Sequence, residues 1–361
     1  MATAQQPSSK LLTELREASG QEQASIVKRL QADRSLQLVD VASAMTGANP
    51  VQKNLFLGAA QSLFDRDPEV GRPGLESIIK DKQLDAAVRF WAFDELTRGD
   101  EKSRNALLQT MLDDPALELR YEAVKLGQAE VKQLQENGGQ PAELKQAYQK
   151  LLTSARLPKQ VQEVAASLKE LGEEVNLLDH FGFIANWQTI GPFDNREKAG
   201  FDVVYGPEKA YLAAPSAPLP TNSEFDGKWG KVTWQQVTTK AMDGAVDLNP
   251  VYANEKGANE KGAVAYTFAD FIVKDAIDCE IRLGCINANQ VWVNGKQLMS
   301  NEVYHASSQI DQYTSAVQLK PGRNSILVKV CQNEQTDSWA QDWTFQLRFT
   351  DASGQAIQPA R

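Results

Sequence analysis

The chain has 361 residues, of which 42% are hydrophobic and 24% charged, and carries a formal net charge of −9. That length exceeds what one hydrophobic core usually fills, so two domains are expected. The negative balance argues against a general attraction to phosphate backbones, and no run of about 18 apolar residues is present to span a bilayer, so neither nucleic acid nor a membrane span is expected.

The opening residues, MATAQQPSSK, lack the basic and apolar regions of a secretory signal, while ATAQQ carries the small residues left around a cleaved site. A periplasmic or extracellular location is the resulting expectation, with the cytoplasm left open. Residues 1–8 are expected to be a disordered N-terminus.

Over residues 9–178, apolar residues recur at three- and four-residue spacing, which predicts successive short amphipathic helices. Four segments are alike: VQKNLFLGAAQSL from Val51, VRFWAFDELTRG from Val88, LRYEAVKLGQ from Leu119 and VQEVAASLKELG from Val161. Their starts lie roughly 30 to 40 residues apart, the period of a helix-pair solenoid. In ALLQTMLDDPALELRYEAVKLG, Leu107, Leu108, Met111 and Leu112 face a core, Asp114-Pro115 turns the chain, and Leu119, Ala123, Val124 and Leu126 answer from the next helix. Phe90, Trp91 and Phe93 are read as packing between helices. The Gly-Gly and Pro of QENGGQPAE, Gln135 to Glu143, mark a loop between two helices.

These residues resemble HEAT-type repeats, in which an Asp-Pro turn precedes a helix carrying Val-Arg or Leu-Arg. Val88-Arg89 and Leu119-Arg120 fit that pattern, whereas Val51-Gln52 and Val161-Gln162 depart from it. The resemblance implies an α-solenoid whose concave face takes a protein partner.

From residue 179 the period changes to alternation, predicting a second domain over residues 179–361. NWQTIGPFDN is read as its first strand, with Trp187 and Ile190 entering a core or the interdomain seam, Gly191-Pro192 ending the strand and Asp194-Asn195 turning the chain. In IDCEIRLGC, Ile277, Cys279, Ile281, Leu283 and Cys285 share one face. In DWTFQLRFT, Trp343, Phe345, Leu347 and Phe349 point opposite to Thr344, Gln346 and Arg348. Asn294-Gly295 joins two short β runs as a two-residue hairpin. With KVTWQQV and VAYTFADFIV added, the segments predict an antiparallel sandwich. The polar repeat ANEKGANEKGA is read as a mobile surface loop. Cys279 and Cys285, six apart on one strand, lie about 20 Å apart and cannot bridge each other. Cys331 is left free to pair with either.

VWVNGKQL, then LKPGRNSILVKV, then WTFQLRFTDASGQAI resembles the jelly-roll β-sandwich of galactose-binding-like domains, including those that accompany glycoside hydrolases. Helical repeats followed by HFGFIANWQTIGPFDN and this sandwich also resemble exported or envelope proteins of planctomycete bacteria. The fold class implied is an N-terminal α-solenoid and a C-terminal galactose-binding-like jelly roll. Such domains often hold a structural calcium, for which Asp194 and Asn195 are the conceivable ligands, with a turn role as the alternative.

The two histidines, His180 and His305, and three cysteines match no zinc spacing. No G-x-S-x-G elbow, P-loop, EF-hand or Rossmann fingerprint stands in the chain, and no acidic pair is marked for glycoside hydrolysis. No cofactor is expected beyond that calcium. Carbohydrate recognition pairs flat aromatic faces with amide and carboxylate groups. Tyr304, His305, Asp311, Gln312, Tyr313, Gln332, Asn333 and Trp339 could supply that set if their loops converge, and Trp339, in the polar NEQTDSWAQDW, is the expected exposed platform. The expectation is a non-catalytic binding or scaffold protein. Its rivals are a purely structural interaction protein and an ancillary subunit of a carbohydrate-processing system.

Overall fold

The structure is a computed structural model that describes residues 7–253 and 257–360. The chain divides into two units, the first ending at Glu173 and the second beginning at Glu174. Among the described residues, no helix is long and apolar enough to cross a membrane.

The first unit is helical, with α1 (Pro7–Glu17), α2 (Gln21–Ala32), α3 (Leu38–Met45), α4 (Pro50–Arg66) and α5 (Pro68–Lys80). It continues through α6 (Ala86–Thr97), α7 (Glu101–Leu108), α8 (Leu117–Glu136), α9 (Pro141–Ser154) and α10 (Pro158–Glu170). Helix starts follow local chemistry: the side chains of Asn49, Asp67, Asp85 and Asp100 accept from backbone N–H groups of the first turns that follow. Proline opens α4, α5, α9 and α10, where its missing N–H costs nothing. Of residues 1–8, expected to be disordered, Pro7 and Ser8 stand at the start of α1, and residues 1–6 lie outside the described ones.

Consecutive helices bury their apolar stripes against one another, with Phe56, Val88, Phe93, Leu119 and Val124 fully enclosed. The indole N–H of Trp91 donates to Gln61 at 2.7 Å, and its ring meets Phe64 edge-on at 6.4 Å. Arg89, 1% exposed, donates to both carboxylate oxygens of Asp114 at 2.6 and 2.7 Å and to the carbonyl of Ile79 at 2.8 Å. Arg120 donates to the carbonyls of Asp113 and Asp114 at 2.9 and 2.7 Å. The arginines that follow Val88 and Leu119 thus both fasten the connection between α7 and α8.

The second unit contains α11 (Leu177–Phe181), β1 (Asn186–Asp194), α12 (Gly206–Ala213), β2 (Glu224–Asp226), β3 (Lys231–Thr233), β4 (Gln235–Thr238), β5 (Val246–Asp247) and α13 (Asn249–Tyr252). It then runs through β6 (Ala263–Val273), β7 (Ile277–Cys285), β8 (Ala288–Val293), β9 (Lys296–Asn301), β10 (Tyr313–Leu319), β11 (Gly322–Gln332) and β12 (Thr344–Thr350). One antiparallel sheet has the order β4-β1-β6-β11-β8-β9, a second has β10-β7-β12-β5, and β2 and β3 pair as a separate hairpin. Residues of the two larger sheets share one core, with Trp187, Phe271 and Val328 from the first and Ile281, Phe345 and Phe349 from the second.

The first sheet is covered on its other face too. Ile190, Phe193, Tyr266, Phe268, Trp292 and Leu327 meet Phe201, Tyr211 of α12 and Trp234 there. That covering explains why strands such as β8 are buried at every position. Asn294 and Gly295 turn β8 into β9 at φ of 52° and 82°, the left-handed conformation that a two-residue hairpin needs.

Several sequence expectations are corrected. Gly191-Pro192, a cis peptide, does not end β1, which shifts register there and runs to Asp194. KVTWQQV is not one strand, because Trp234 separates β3 from β4 and the two pair in different sheets. On β12, where the sequence set Gln346 and Arg348 opposite the apolar residues, both are buried as well, Arg348 being 2% and Gln346 5% exposed. In the ANEKGANEKGA repeat, Asn254 to Lys256 lie outside the described residues, while Glu260 is buried and Ala263 begins β6. All three cysteines are buried free thiols: Cys279 and Cys285 face the core between the sheets, and Cys331 faces the outer cluster.

The unit closes on itself near its chain ends. Phe183 bridges to Arg348, and Ile184 N–H donates to the Leu347 carbonyl at 3.0 Å. Gln358 donates to the Asp179 carbonyl at 2.8 Å, and Ala360 N–H to that of Ile272 at 2.7 Å.

Candidate functional site

Four connections meet at one place in the second unit: those after β1, before β6, between β9 and β10, and after β11. Asn195, fully buried at the end of β1, donates its side-chain amide to the Gln332 carbonyl at 3.0 Å and to the Tyr304 hydroxyl oxygen at 3.2 Å. The backbone N–H of Asn195 donates to Gly262 at 2.8 Å, and that of Gly262 to Asn333 at 2.9 Å. His305 Nε2 and Asn333 Oδ1 lie 2.7 Å apart. Trp339 stands edge-on to His305, with ring centroids 5.3 Å apart and planes at 88°. It is 59% exposed, and Gln335, Asp337 and Ser338 are exposed in the same loop.

Of the sequence candidates, Tyr304, His305, Gln332, Asn333 and Trp339 belong to this cluster. Their roles differ from a uniform set of ligand contacts. Gln332 is fully buried, accepting from Asn287 at 3.0 Å and donating to the Asp342 carbonyl at 3.2 Å, so it holds the loop and offers nothing to a ligand. Tyr304 carries the Lys198 ammonium 5.1 Å above its ring, which removes that face as a sugar platform. Burial pushes its hydroxyl up to about 12. Asn333 is 5% exposed and accepts from both His305 and Gln335 N–H. His305 Nδ1 is buried without a hydrogen-bond partner.

Asp311, Gln312 and Tyr313 find their partners elsewhere in the unit. Asp311 accepts from Arg348 Nε at 2.8 Å and Arg282 Nη1 at 2.9 Å, and Arg348 Nη2 takes the oxygen shared with Arg282. Its carboxylate is an internal counter-ion for two guanidinium groups. Gln312 accepts from Cys285 N–H at 3.2 Å and donates to the Tyr313 hydroxyl at 3.3 Å, and Tyr313 packs partly against the inter-sheet core.

The calcium reading of Asp194 and Asn195 meets a similar obstacle. Arg196 donates to both oxygens of Asp194 at 2.6 to 3.0 Å, and this pairing lowers the carboxyl to about 2. A guanidinium occupies the position that a metal would need. Asn195 directs its amide NH2 into the protein, and its Oδ1, buried and without a hydrogen-bond partner, is a single donor. These residues do not fit a calcium site.

The sequence reading missed Trp229, 71% exposed on the turn between β2 and β3. Its indole N–H donates to Glu260 at 3.1 Å, and Glu260 pairs with Lys228 at 2.7 Å, both of those side chains being buried. The neighbouring Lys261 donates to the Ala340 carbonyl at 2.7 Å, beside Trp339. One short connection, residues 257–262, therefore braces two exposed tryptophans. The Gly227 and Gly230 that flank Lys228-Trp229 were the available sequence signal for a tight, protruding turn.

No protein-family profile matches the chain, and no curated protein matches it. Among solved structures, it is similar to an anti-sigma factor domain-containing protein from Clostridium clariflavum, at 11% identity and TM-score 0.28, covering 49% of this chain and 45% of that one. A beta-glucosidase from Kluyveromyces marxianus gives 11% identity and TM-score 0.29, covering 51% and 22%. A beta-glucuronidase from an uncultured Clostridium gives 13% identity and TM-score 0.27, covering 47% and 29%. The match thus spans less than half of each of these proteins, and at such TM-scores the likenesses carry no inference about fold or function.

Proposed function

We propose that the chain is a non-catalytic binding protein, in which the second unit is a galactose-binding-like jelly roll that takes carbohydrate on Trp339, and the first unit is a HEAT-like solenoid that takes a protein partner. The observation that carries the proposal is Trp339 itself, an indole 59% exposed whose edge contact with His305 is fixed by the bond from His305 to Asn333. A ring already held in place loses little freedom when a sugar's C–H face stacks on it. The polar groups of Gln335 and Asp337 in the same loop are of the type that hydrogen-bond hydroxyls. Export to the periplasm or cell exterior belongs to the same proposal.

The test is a glycan array followed by calorimetric titration of the full chain and its Trp339→Ala variant. The expected loss on substitution is at least about tenfold in affinity with the melting temperature unchanged. If the wild-type chain bound no saccharide, the carbohydrate reading would be abandoned.

A reading as a protein-interaction protein without sugar is favoured by a groove of about 430 Å³ in the helical unit. Val39 and Val70, both exposed, line it together with Arg34 and Arg66. A stoichiometric partner whose capture is indifferent to added glycan would support that reading.

A further inference from the structure

Trp229 is 71% exposed, yet it is fastened on several sides. Within its turn, Gly227 N–H donates to the Gly230 carbonyl and Lys228 N–H to that of Pro192, both at 2.7 Å. Its indole N–H donates to Glu260 Oε2 at 3.1 Å. The Lys228 ammonium lies 4.9 Å from the ring centroid over one face, which leaves the other face to solvent.

That fastening is continuous with the support of the Trp339 loop. Lys228 and Glu260, with side chains 5% and 8% exposed, pair at 2.7 Å, and Lys228 also donates to the Lys261 carbonyl. A buried ion pair gains little stability against its desolvation, so what this one does is fix position. Lys261 in turn donates from its ammonium to the carbonyl of Ala340, the neighbour of Trp339, at 2.7 Å. Glu260 and Lys261 are consecutive, with Cα atoms about 3.8 Å apart. Of the seven tryptophans, Trp187, Trp234, Trp292 and Trp343 are buried, and Trp91 packs against the helical core. The two that stand in solvent are the two whose loops are tied to this pair of residues.

We propose that Trp229 and Trp339 are two subsites of one platform, and that its ligand is the interior of a linear glycan chain lying across both indoles, not a single terminal sugar. The proposal rests on the reading of Trp339 as a carbohydrate platform and extends it to the class of ligand. One sugar ring covers one indole, and its contact alone is weak. A chain that reaches both makes the second contact intramolecular, with no further loss of translational freedom. Because consecutive residues hold the two loops, the spacing of the subsites is set before the ligand arrives, and binding spends little on ordering them.

The experiment is a calorimetric titration of the full chain with linear oligosaccharides of glucose, xylose, mannose and galactose, each from the monosaccharide to the hexasaccharide. For the sugar that binds, affinity is expected to rise at least about tenfold along the series and then level off once both indoles are covered. Trp229→Ala should remove that rise and leave the affinity for the shortest bound member unchanged, whereas Trp339→Ala should weaken every length. Trp229→Phe keeps a flat ring without the indole N–H and should retain most of the rise, which separates stacking from a general loosening of the turn. An affinity indifferent to length, or a Trp229→Ala variant that binds the hexasaccharide like the wild type, would overturn the two-subsite proposal while leaving Trp339 as a platform. Absence of binding at every length and for every sugar would instead remove the carbohydrate reading, and this proposal with it.

Discussion

Arg348 lies across Asp311, its Nε donating to Oδ1 at 2.8 Å and its Nη2 to Oδ2, while its remaining Nη1 reaches the Phe181 carbonyl at 3.1 Å. Arg348 is 2% exposed, and the Asp311 side chain 12%. Removing the carboxylate leaves a buried guanidinium uncompensated. Asp311→Ala is therefore expected to cost about 3–5 kcal/mol in urea denaturation. Arg348→Lys should not restore the wild-type value, because an ammonium cannot make the two-pronged contact and reach Phe181 as well.

The same pairing sets a pH dependence. Burial acts to raise the Asp311 carboxyl, but the hydrogen bonds and charges of Arg348 and Arg282 outweigh it, and the group lies below its ordinary value of 3.8. In the helical unit, Arg89 does the same for Asp114 against its burial. Both carboxyls hold a proton less tightly when folded, so the unfolded chain takes up more protons as pH falls. Their stabilisation is fully present above the unfolded value and is lost as pH drops through the folded ones. Thermal melts should be flat from pH 7 to about pH 5 with respect to these pairs and fall steeply below 3.8.

Thiol chemistry gives a separate check. Burial pushes Cys285 and Cys331 up to about 12 and Cys279 up to about 11. The folded chain should react negligibly with a disulfide reagent at pH 8, whereas the unfolded chain should release three equivalents. Rapid modification of native protein would show that the strands carrying these residues open readily.

Lys329 is 1% exposed and donates to the carbonyls of Phe201 and Val203 at 2.7 and 2.8 Å, with Glu208 at 3.5 Å. Burial lowers its ammonium below the ordinary lysine range. Lys329→Met would strand two carbonyls and the buried Glu208 together, at an expected loss of about 3 kcal/mol in urea denaturation. A change near zero would mean that the stretch from Phe201 to α12 relaxes onto the sheet without its cation.

Alternation placed Phe345, Leu347 and Phe349 on one face of β12, and Asn294-Gly295 at a hairpin, because both signals are local. Arg348 could not be read this way. Its polar identity and outward phase suit solvent, and its acceptors, Asp311 and the Phe181 carbonyl, lie 37 and 167 residues earlier in the chain. The loop candidates divide for the same reason. Trp339 stands among polar neighbours that foretell exposure, whereas the engagement of Gln332 depends on Asn287 and Asp342, which sequence proximity does not supply. In the helical unit, Val88-Arg89 and Leu119-Arg120 carried a legible repeat pattern, while the Asp113-Asp114 connection in which both arginines find acceptors is one that the period alone does not locate.

The closure of the second unit has a consequence for its biosynthesis. Phe183 and Ile184, early in the unit, pair with Arg348 and Leu347, which are made more than 150 residues later. A nascent chain leaving the ribosome would display Phe181 and Phe183 unshielded through more than 150 residues of translation. A truncation before Thr344 would remove the central strand β12 and free both Asp311 and Phe181 from their shared arginine. Maturation of this unit thus waits for β12, and a ribosome stalled before Thr344 has emerged should carry a protease-sensitive domain.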